Sequence, residues 1–252
     1  MRLDTTQYEQ IVQSPTQVGP VKRELKLDSA ADALAFEYKI THNATGPISI
    51  PDIIDSIIIM GQNVRIAISS KGLSAVSHII PDYLGTGPLL KVNTEPHDNV
   101  SPVPGGTGER SWILPVRLVA GTYEISHKIR DCSGIAGLTT LSVTYRVVPL
   151  NAAAPTLRFQ QLDAQPTSEL SIVVKNANYI AFPVVTGIVE LHVGNRVYTY
   201  DDLVALRGLQ GKYANAPAGV TYLQLLLPAP MNMEIRRQNT TEPIYIITGV
   251  VA

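Results

Sequence analysis

The stretch IDSIIIMGQNVRIAI, residues 54–68, decides how this chain is read. An isoleucine-rich run enters Gly61-Gln62-Asn63 and leaves it as an alternation of apolar and other residues, the pattern of two strands joined at a corner. Farther on, GIVELHVGNRVYTY, residues 187–200, carries the same piece in a blurred copy. Gly61 and Gly194 bring backbone freedom to the two corners, and Asn63 and Asn195 tolerate left-handed geometry. The corners therefore read as structural, and their repetition favours two like domains in one chain.

Working outward, the elements recur in the same order. RELKLDS (23–29) lines up with LRFQQLDA (157–164), and the strands at 35–40 line up with those at 170–175. Each corner is then followed by a short helix candidate: KGLSAVSHII (71–80) in the first half, and DDLVALRG (201–208), behind an Asp201 cap, in the second. Leu84 to Arg110 has no full counterpart, so one copy carries an inserted loop. Beyond it SWILPVRL (111–118) resembles TYLQLLLP (221–228), and LTTLSVTYRVV (138–148) resembles PIYIITGVV (243–251). The correspondence is one of order and spacing, not of identity.

Between these landmarks the period is two. LAFEYKITH (34–42) puts Leu34, Phe36, Tyr38 and Ile40 on one face. TYEISHKIR (122–130) does the same with Tyr123, Ile125, His127 and Ile129, and LSVTYRV (141–147) with Leu141, Val143, Tyr145 and Val147. Proline and glycine, 18 of each, punctuate these runs at the spacing of a β-sandwich. The expectation is an all-β chain of two tandem jelly-roll β-sandwiches, a double jelly roll with short helices in its loops. Residues 1–20 form an N-terminal arm and 21–148 the first jelly roll with its inserted loop 84–110. Residues 149–156, PLNAAAPT, are the linker, and 157–252 the second jelly roll. Within the arm, DTTQYEQIVQS (4–14) reads as a short helix with Tyr8, Ile11 and Val12 on its sticky side. Such a segment clips onto a neighbouring subunit or an underlying surface, or else is unstructured.

Composition narrows the function. Charged residues are only 16% of the 252, against roughly 25% in an average soluble protein. No run reaches ~18 consecutive apolar residues, which excludes spanning helices. The opening residues have no apolar core and do not read as a secretory signal. Burial against other copies is the better account of so little charge, since charged residues are depleted at the centre of protein contacts. A net charge of -1 also does little to keep copies apart. Lys22-Arg23-Glu24-Leu25-Lys26 is the densest basic cluster, too thin for a nucleic-acid arm, so no direct sequence-specific nucleic-acid binding is expected. The lone Cys132 forms no internal disulfide and fits a reducing site of assembly.

Catalytic and metal chemistry find little footing. Histidines 42, 78, 97, 127 and 192 show no HxH or HExxH spacing, and only His97, beside Glu95 and Asp98, sits in a local cluster. His127 and His192 lie in strands and read as packed or interfacial. PGGTGER (104–110) has glycines but no following Lys-Ser or Lys-Thr, so it reads as a flexible loop tip. Asn43, Asn99 and Asn239 open glycosylation-type triplets that carry little weight without a signal peptide. Trp112 is placed at the sandwich edge. No catalytic residue, metal ligand or cofactor is expected.

Two tandem all-β units, the repeated IIIMGQNVRI and IVELHVGNRV, the one-sided insertion and the arm together resemble one family. It is that of the double jelly-roll major capsid proteins of tailless icosahedral viruses with an internal membrane, the compact bacterial-virus type in particular. The resemblance implies a homotrimer whose six jelly rolls make a pseudo-hexagonal capsomer, tiling an icosahedral shell around membrane and genome in the virion after assembly in the host cytoplasm. It further implies contacts with neighbouring capsomers and with minor capsid and vertex proteins, an arm facing the membrane, and loop 84–110 as a tower or inter-subunit element. The rival classes are a viral spike or receptor-binding β-sandwich, which wants recognition clusters on its loops, and a glycan-active β-sandwich enzyme. The enzyme needs a carboxylate pair framed by aromatics, and three Phe and one Trp frame none.

Overall fold

The computed structural model describes residues 2–46, 48–61, 64–70, 99–100, 106–150, 156–162, 170–183, 188–210, 222–237 and 244–250. The chain divides into two units, Met1–Ala152 and Ala153–Ala252. In the first, the strands are β1 (Arg2–Leu3), β2 (Glu9–Val12), β3 (Gly19–Leu27), β4 (Ala31–His42), β5 (Ile48–Ser49), β6 (Ile54–Gly61), β7 (Val64–Ser69), β8 (Asn99–Val100), β9 (Gly106–Leu118), β10 (Gly121–Ile129) and β11 (Leu141–Leu150). A single helical turn, α1 (Ile50–Ile53), precedes β6.

Eight of these strands form four nested antiparallel couples: β2 with β11, β3 with β10, β4 with β9, and β6 with β7. This is one long hairpin folded back at the Gly61 corner. The hairpin then rolls, so that β11 also pairs with β4 and β10 with β6. The resulting sheets run β2-β11-β4-β9 and β3-β10-β6-β7, with β1 added in parallel to the edge of β3 and β5-β8 as a small separate ribbon. Counting the eight in chain order gives 1-8-3-6 and 2-7-4-5, a jelly roll.

The second unit has β12 (Thr156–Leu162), β13 (Leu170–Pro183), β14 (Ile188–Val193), β15 (Arg196–Thr199), β16 (Tyr222–Arg237) and β17 (Ile244–Val250), with helix α2 (Tyr200–Gln210) after β15. They lie in one hydrogen-bonded order, β12-β17-β13-β16-β14-β15. The roll is nevertheless the same, because β13 and β16 each serve as two strands. Residues 170–174 pair with 233–237, and residues 179–183 with 222–226. The latter part of β13 also pairs with β17, and the latter part of β16 with β14. Where the first unit turns corners at Asp28-Ser29-Ala30 and Val119-Ala120, the second bends without a break. Its bend sits at the register shifts around Ala177, where Asn176 adopts φ 51° and Leu227-Pro228-Ala229-Pro230 bulges opposite. Proline has no N–H to lose at such a bulge, and asparagine is among the few side-chain-bearing residues that accept left-handed backbone.

Several expectations change here. The stretch 4–14 is not a helix: a turn leads into β2, and Leu3, Ile11 and Val12 are all buried. Residues expected as an arm thus hold the first strand of the roll. That shifts the early part of the internal alignment by one strand: RELKLDS lies in the second strand of its roll, whereas Leu157 to Leu162 of LRFQQLDA lie in the first of theirs. From the two corners onward the strands match as expected. Asp201 does not cap α2. Thr199 does, its hydroxyl 3.4 Å from the amide nitrogen of Asp202, while the Asp202 carboxylate accepts from the Thr199 amide at 2.8 Å. This is a reciprocal capping box, and it holds the Asp202 carboxyl below the usual carboxylate range. The candidate helix 71–80 and most of loop 84–110 lie outside the described residues; within that loop, 99–100 and 106–110 are strand.

Period-two alternation fixes the cores. In the first unit Leu34, Phe36, Tyr38 and Ile40, with Val143, Tyr145 and Val147, are all fully buried. Leu25, Ile57, Ile59, Tyr123 and Ile125 are buried from the other sheet. In the second unit Ile172, Val174, Leu191, Met233 and Ile235 cluster with Ile180, Phe182 and Leu203 of α2.

Two substitutions separate the two corners. A Cβ on Gly61 would lie 2.7 Å from the Thr122 carbonyl oxygen, whereas one on Gly194 meets nothing closer than Met231 Sδ at 3.9 Å. Gly194 does carry φ +57°. Gly194→Ala should therefore cost about 1 kcal/mol through backbone conformation alone, and Gly61→Ala more, roughly 2–4 kcal/mol, because β10 must move. Urea denaturation of the two variants gives the ranking. Ile11→Ala should cost roughly 2–5 kcal/mol if β2 is core strand; a loss below about 0.5 kcal/mol in the same assay would mean that β2 is dispensable.

Candidate functional site

The most concentrated side-chain chemistry among the described residues lies inside the first jelly roll. His127, on β10, meets Phe36 and Tyr38 of β4 and Tyr145 of β11, its ring edge-on to Tyr145 at 4.4 Å between centroids. The Tyr38 hydroxyl and His127 Nε2 share a hydrogen bond of 2.9 Å that joins the two sheets. Trp112, from β9, stands edge-on to Tyr38 at 5.4 Å. Nδ1 of His127 and the hydroxyl of Tyr145 have no partner among the described residues. Burial drives the His127 imidazole down from 6.5 to about 3, helped by the nearby Arg23 charge, and drives both tyrosine hydroxyls up. A neutral imidazole sealed between two sheets, with no substrate-sized space described beside it, is a core element.

Polar chemistry on the outer faces is self-contained. Tyr8, just before β2, lies over β4 and β11, with Lys39 Nζ at 4.3 Å and the Arg146 guanidinium at 4.9 Å from its ring. Its hydroxyl donates to Glu37 at 3.1 Å, and Arg146 donates to the same carboxylate. On the inward side, Glu9 and Arg23 pair at 2.9 Å between β2 of one sheet and β3 of the other. On the second unit, register places Val173, Glu234, His192 and Val197 along one rung, and Ser171, Arg236, Glu190 and Thr199 along the next. His192 lies 2.7 Å from Glu190, Arg236 reaches both Glu190 and Glu234, and Ser171 donates to Glu234.

The individual sequence candidates resolve as follows. His42 is buried, its Nδ1 accepting from the Ala44 amide at 3.2 Å. His127 is packed in the core of its own unit, and His192 is half-buried on an outer face. His78 and the His97, Glu95 and Asp98 cluster lie outside the described residues. Of PGGTGER, residues 106–110 are not a loop tip but the start of β9, paired with β4. Asn43 is a structural tie: its side-chain carbonyl accepts from the Thr139 and Thr140 amides at 2.9 and 2.8 Å. Asn99 lies in β8, and Asn239 is outside the described residues. Cys132 is buried, its thiol pushed up to about 11 by burial and by Asp131 and Asp52. Trp112 sits on an edge strand, yet its ring is turned into the core because its register partner is Phe36. Among the described residues no three His, Cys, Asp or Glu side chains gather as metal ligands, and no helix is long and apolar enough to cross a membrane. The Tyr8 contact was missed by sequence reasoning because nothing local marks which strand it covers.

What the strand order defines is a double jelly roll: two eight-strand rolls in tandem, each with its own closed core. No family model matches the sequence, and no curated protein matches it. Among solved structures, a chain in the atomic structure of Sulfolobus Turreted Icosahedral Virus aligns over 97% of this chain and 90% of that one, at 12% identity and a TM-score of 0.50. The major capsid protein of bacteriophage PM2 aligns over 98% of both chains, at 12% identity and a TM-score of 0.44. That of mavirus covers 98% of this chain and 87% of its own, at 11% and 0.34. The chain is thus similar in fold, over nearly its whole length, to that chain of the Sulfolobus virus.

Tyr8→Leu keeps the apolar bulk at this position while removing the hydroxyl bond and the two cation contacts. It should lower stability by roughly 1–2 kcal/mol, less at 1 M salt, in thermal unfolding.

Proposed function

We propose that this protein is a major capsid protein whose work is assembly: three copies form a pseudo-hexagonal capsomer, and capsomers tile an icosahedral shell around a membrane and genome. One observation carries the reading, namely that the same rolled hairpin is built twice in one chain. Two like blocks per chain let three chains present six similar contact surfaces, which a closed ring requires. The fold likeness to the Sulfolobus virus chain, nearly end to end on both sides, supports it. So does the shortage of charge, which suits a surface largely covered by copies of itself.

The role is structural and non-enzymatic, with the virion as its place and assembly in the host cytoplasm. Neighbouring capsomers, and minor capsid and vertex proteins, are the partners it would meet. Contact of the N-terminal segment with the membrane would have to use residues other than Ile11 and Val12, which are buried. No described feature favours the spike or receptor-binding reading over this one.

Three chains of 27.3 kDa give a trimer of about 82 kDa. Light scattering of the purified protein at micromolar concentration should return that mass, with large apolar faces buried per subunit as in obligate assemblies. A stable monomer across that range would overturn the capsomer reading.

A further inference from the structure

We propose that His127 makes the first jelly roll the acid-labile half of the molecule, so that its two sheets part at pH values at which the second jelly roll stays closed. His127 sits between sheets 1-8-3-6 and 2-7-4-5 of the first unit and bonds across them to Tyr38. Among the described residues, the elements packed around it offer a proton no counter-charge. β4 brings Phe36 and Tyr38, β11 brings Tyr145, and β9 brings Trp112 to the far side of Tyr38. Within its own sheet the register partners are Val21 of β3 and Ile57 of β6. Arg23, farther along β3, is a cation, and Glu9 of β2, the carboxylate that acts on Tyr145, is already paired with it at 2.9 Å. A protonated imidazole here would be a buried charge without a partner, and Nε2, then a donor, would depend on the Tyr38 oxygen alone.

Linkage gives the sign. The unfolded chain takes up this proton near pH 6.5, whereas the folded chain resists it until about 3, so between those values the unfolded state holds more protons. Stability from this site is complete above pH 6.5 and falls as pH drops towards 3. At pH 4.5 the open-to-closed ratio of the first unit rises on the order of 100-fold over its value at pH 7.5. The second unit contains one histidine, His192, which is half-buried on an outer face with Glu190 2.7 Å away to meet a proton. Its carboxyls Asp202 and Glu234 are held below their ordinary values by hydrogen bonds from Thr199 and Ser171. The other described imidazole in the first unit, His42, lies on β4 and is separated from His127 by substitution.

Trp112 is the sole tryptophan and lies in this cluster, so its emission reports the first unit alone. Urea titrations of the full-length protein at pH 7.5 and 4.5, followed by Trp112 emission, should show the first unit opening at lower urea in acid. Amide exchange, corrected for its intrinsic pH dependence, should show β14, β16 and β17 still protected there. His127→Phe should abolish most of the 100-fold change while leaving His42 in place. Should that variant fail to fold, the wild-type comparison of Trp112 emission with exchange in the second unit decides the matter. An unchanged Trp112 transition at pH 4.5, equal pH dependence in His127→Phe, or simultaneous loss of protection in both units would each overturn the proposal.

Discussion

Everything in each unit follows from the way one long hairpin closes on itself. Pairing of the first strand with the eighth, the second with the seventh, the third with the sixth and the fourth with the fifth makes a ribbon with two long edges. Left open, those edges would be templates for foreign strands. Rolling brings the eighth strand beside the third and the seventh beside the fourth, which consumes the inner edges and turns one face of every strand inward. A one-residue slip in any couple would turn its inward residues to solvent. The register is therefore held by burial: β11 must keep Val143, Tyr145 and Val147 inside while matched to Ile40, Tyr38 and Phe36.

The two rolls meet that constraint by different local chemistry. In the first, strand changes occur at short turns, one of them ending on Gly121, and each strand is straight enough to be counted separately. In the second, β13 and β16 bend around the corner together, with Asn176 left-handed and its amide donating to the Asn232 side chain at 3.2 Å. The prolines of Leu227-Pro228-Ala229-Pro230 occupy the longest stretch of β16 without register partners. The cores differ as well. The first is tied across its sheets by a hydroxyl–imidazole bond among aromatic rings, whereas the second has an apolar cluster including Ile172, Leu191, Phe182, Met233 and Ile235, and also buries Asn178 and Arg237. Apolar packing is indifferent to pH, and a buried imidazole is not.

What could be seen in the sequence, and what could not, follows from the range of the signal. Phe36 with Tyr38, Tyr123 with His127, and Val143 with Tyr145 were assigned to inward faces correctly because period two is written within each strand. The β6–β7 and β14–β15 corners were legible for the same reason. β2 was not. Tyr8, Ile11 and Val12 stand at i, i+3 and i+4, the spacing of a helix face, and four residues are too few for alternation to show. What makes them a strand is the edge of β11, far away in sequence, and losing that strand displaced the early part of the internal alignment. The Thr199–Asp202 capping box was present as a T-x-x-D pattern, but the adjacent Asp201 drew the assignment one turn position too far. The His127 cluster and the polar networks of the outer faces are set by register across strands, which no single segment spells out.

The outer faces bear on the proposed assembly of so weakly charged a chain. Several described charges are paired where they stand: Lys22 with Glu124, Lys128 and Arg130 with Asp55, Arg146 with Glu37, and Arg236 with Glu190 and Glu234. Together with a net charge of -1, this leaves little long-range field either to steer one copy towards another or to hold it off. Electrostatic complementarity mainly sets approach rate and rejects wrong partners. A surface that gives it up must find specificity in shape and in apolar contact at short range. In the proposed capsomer, two like rolls per chain would supply that shape twice, and identical subunits would recognise each other by edges and faces held in register by their buried sides.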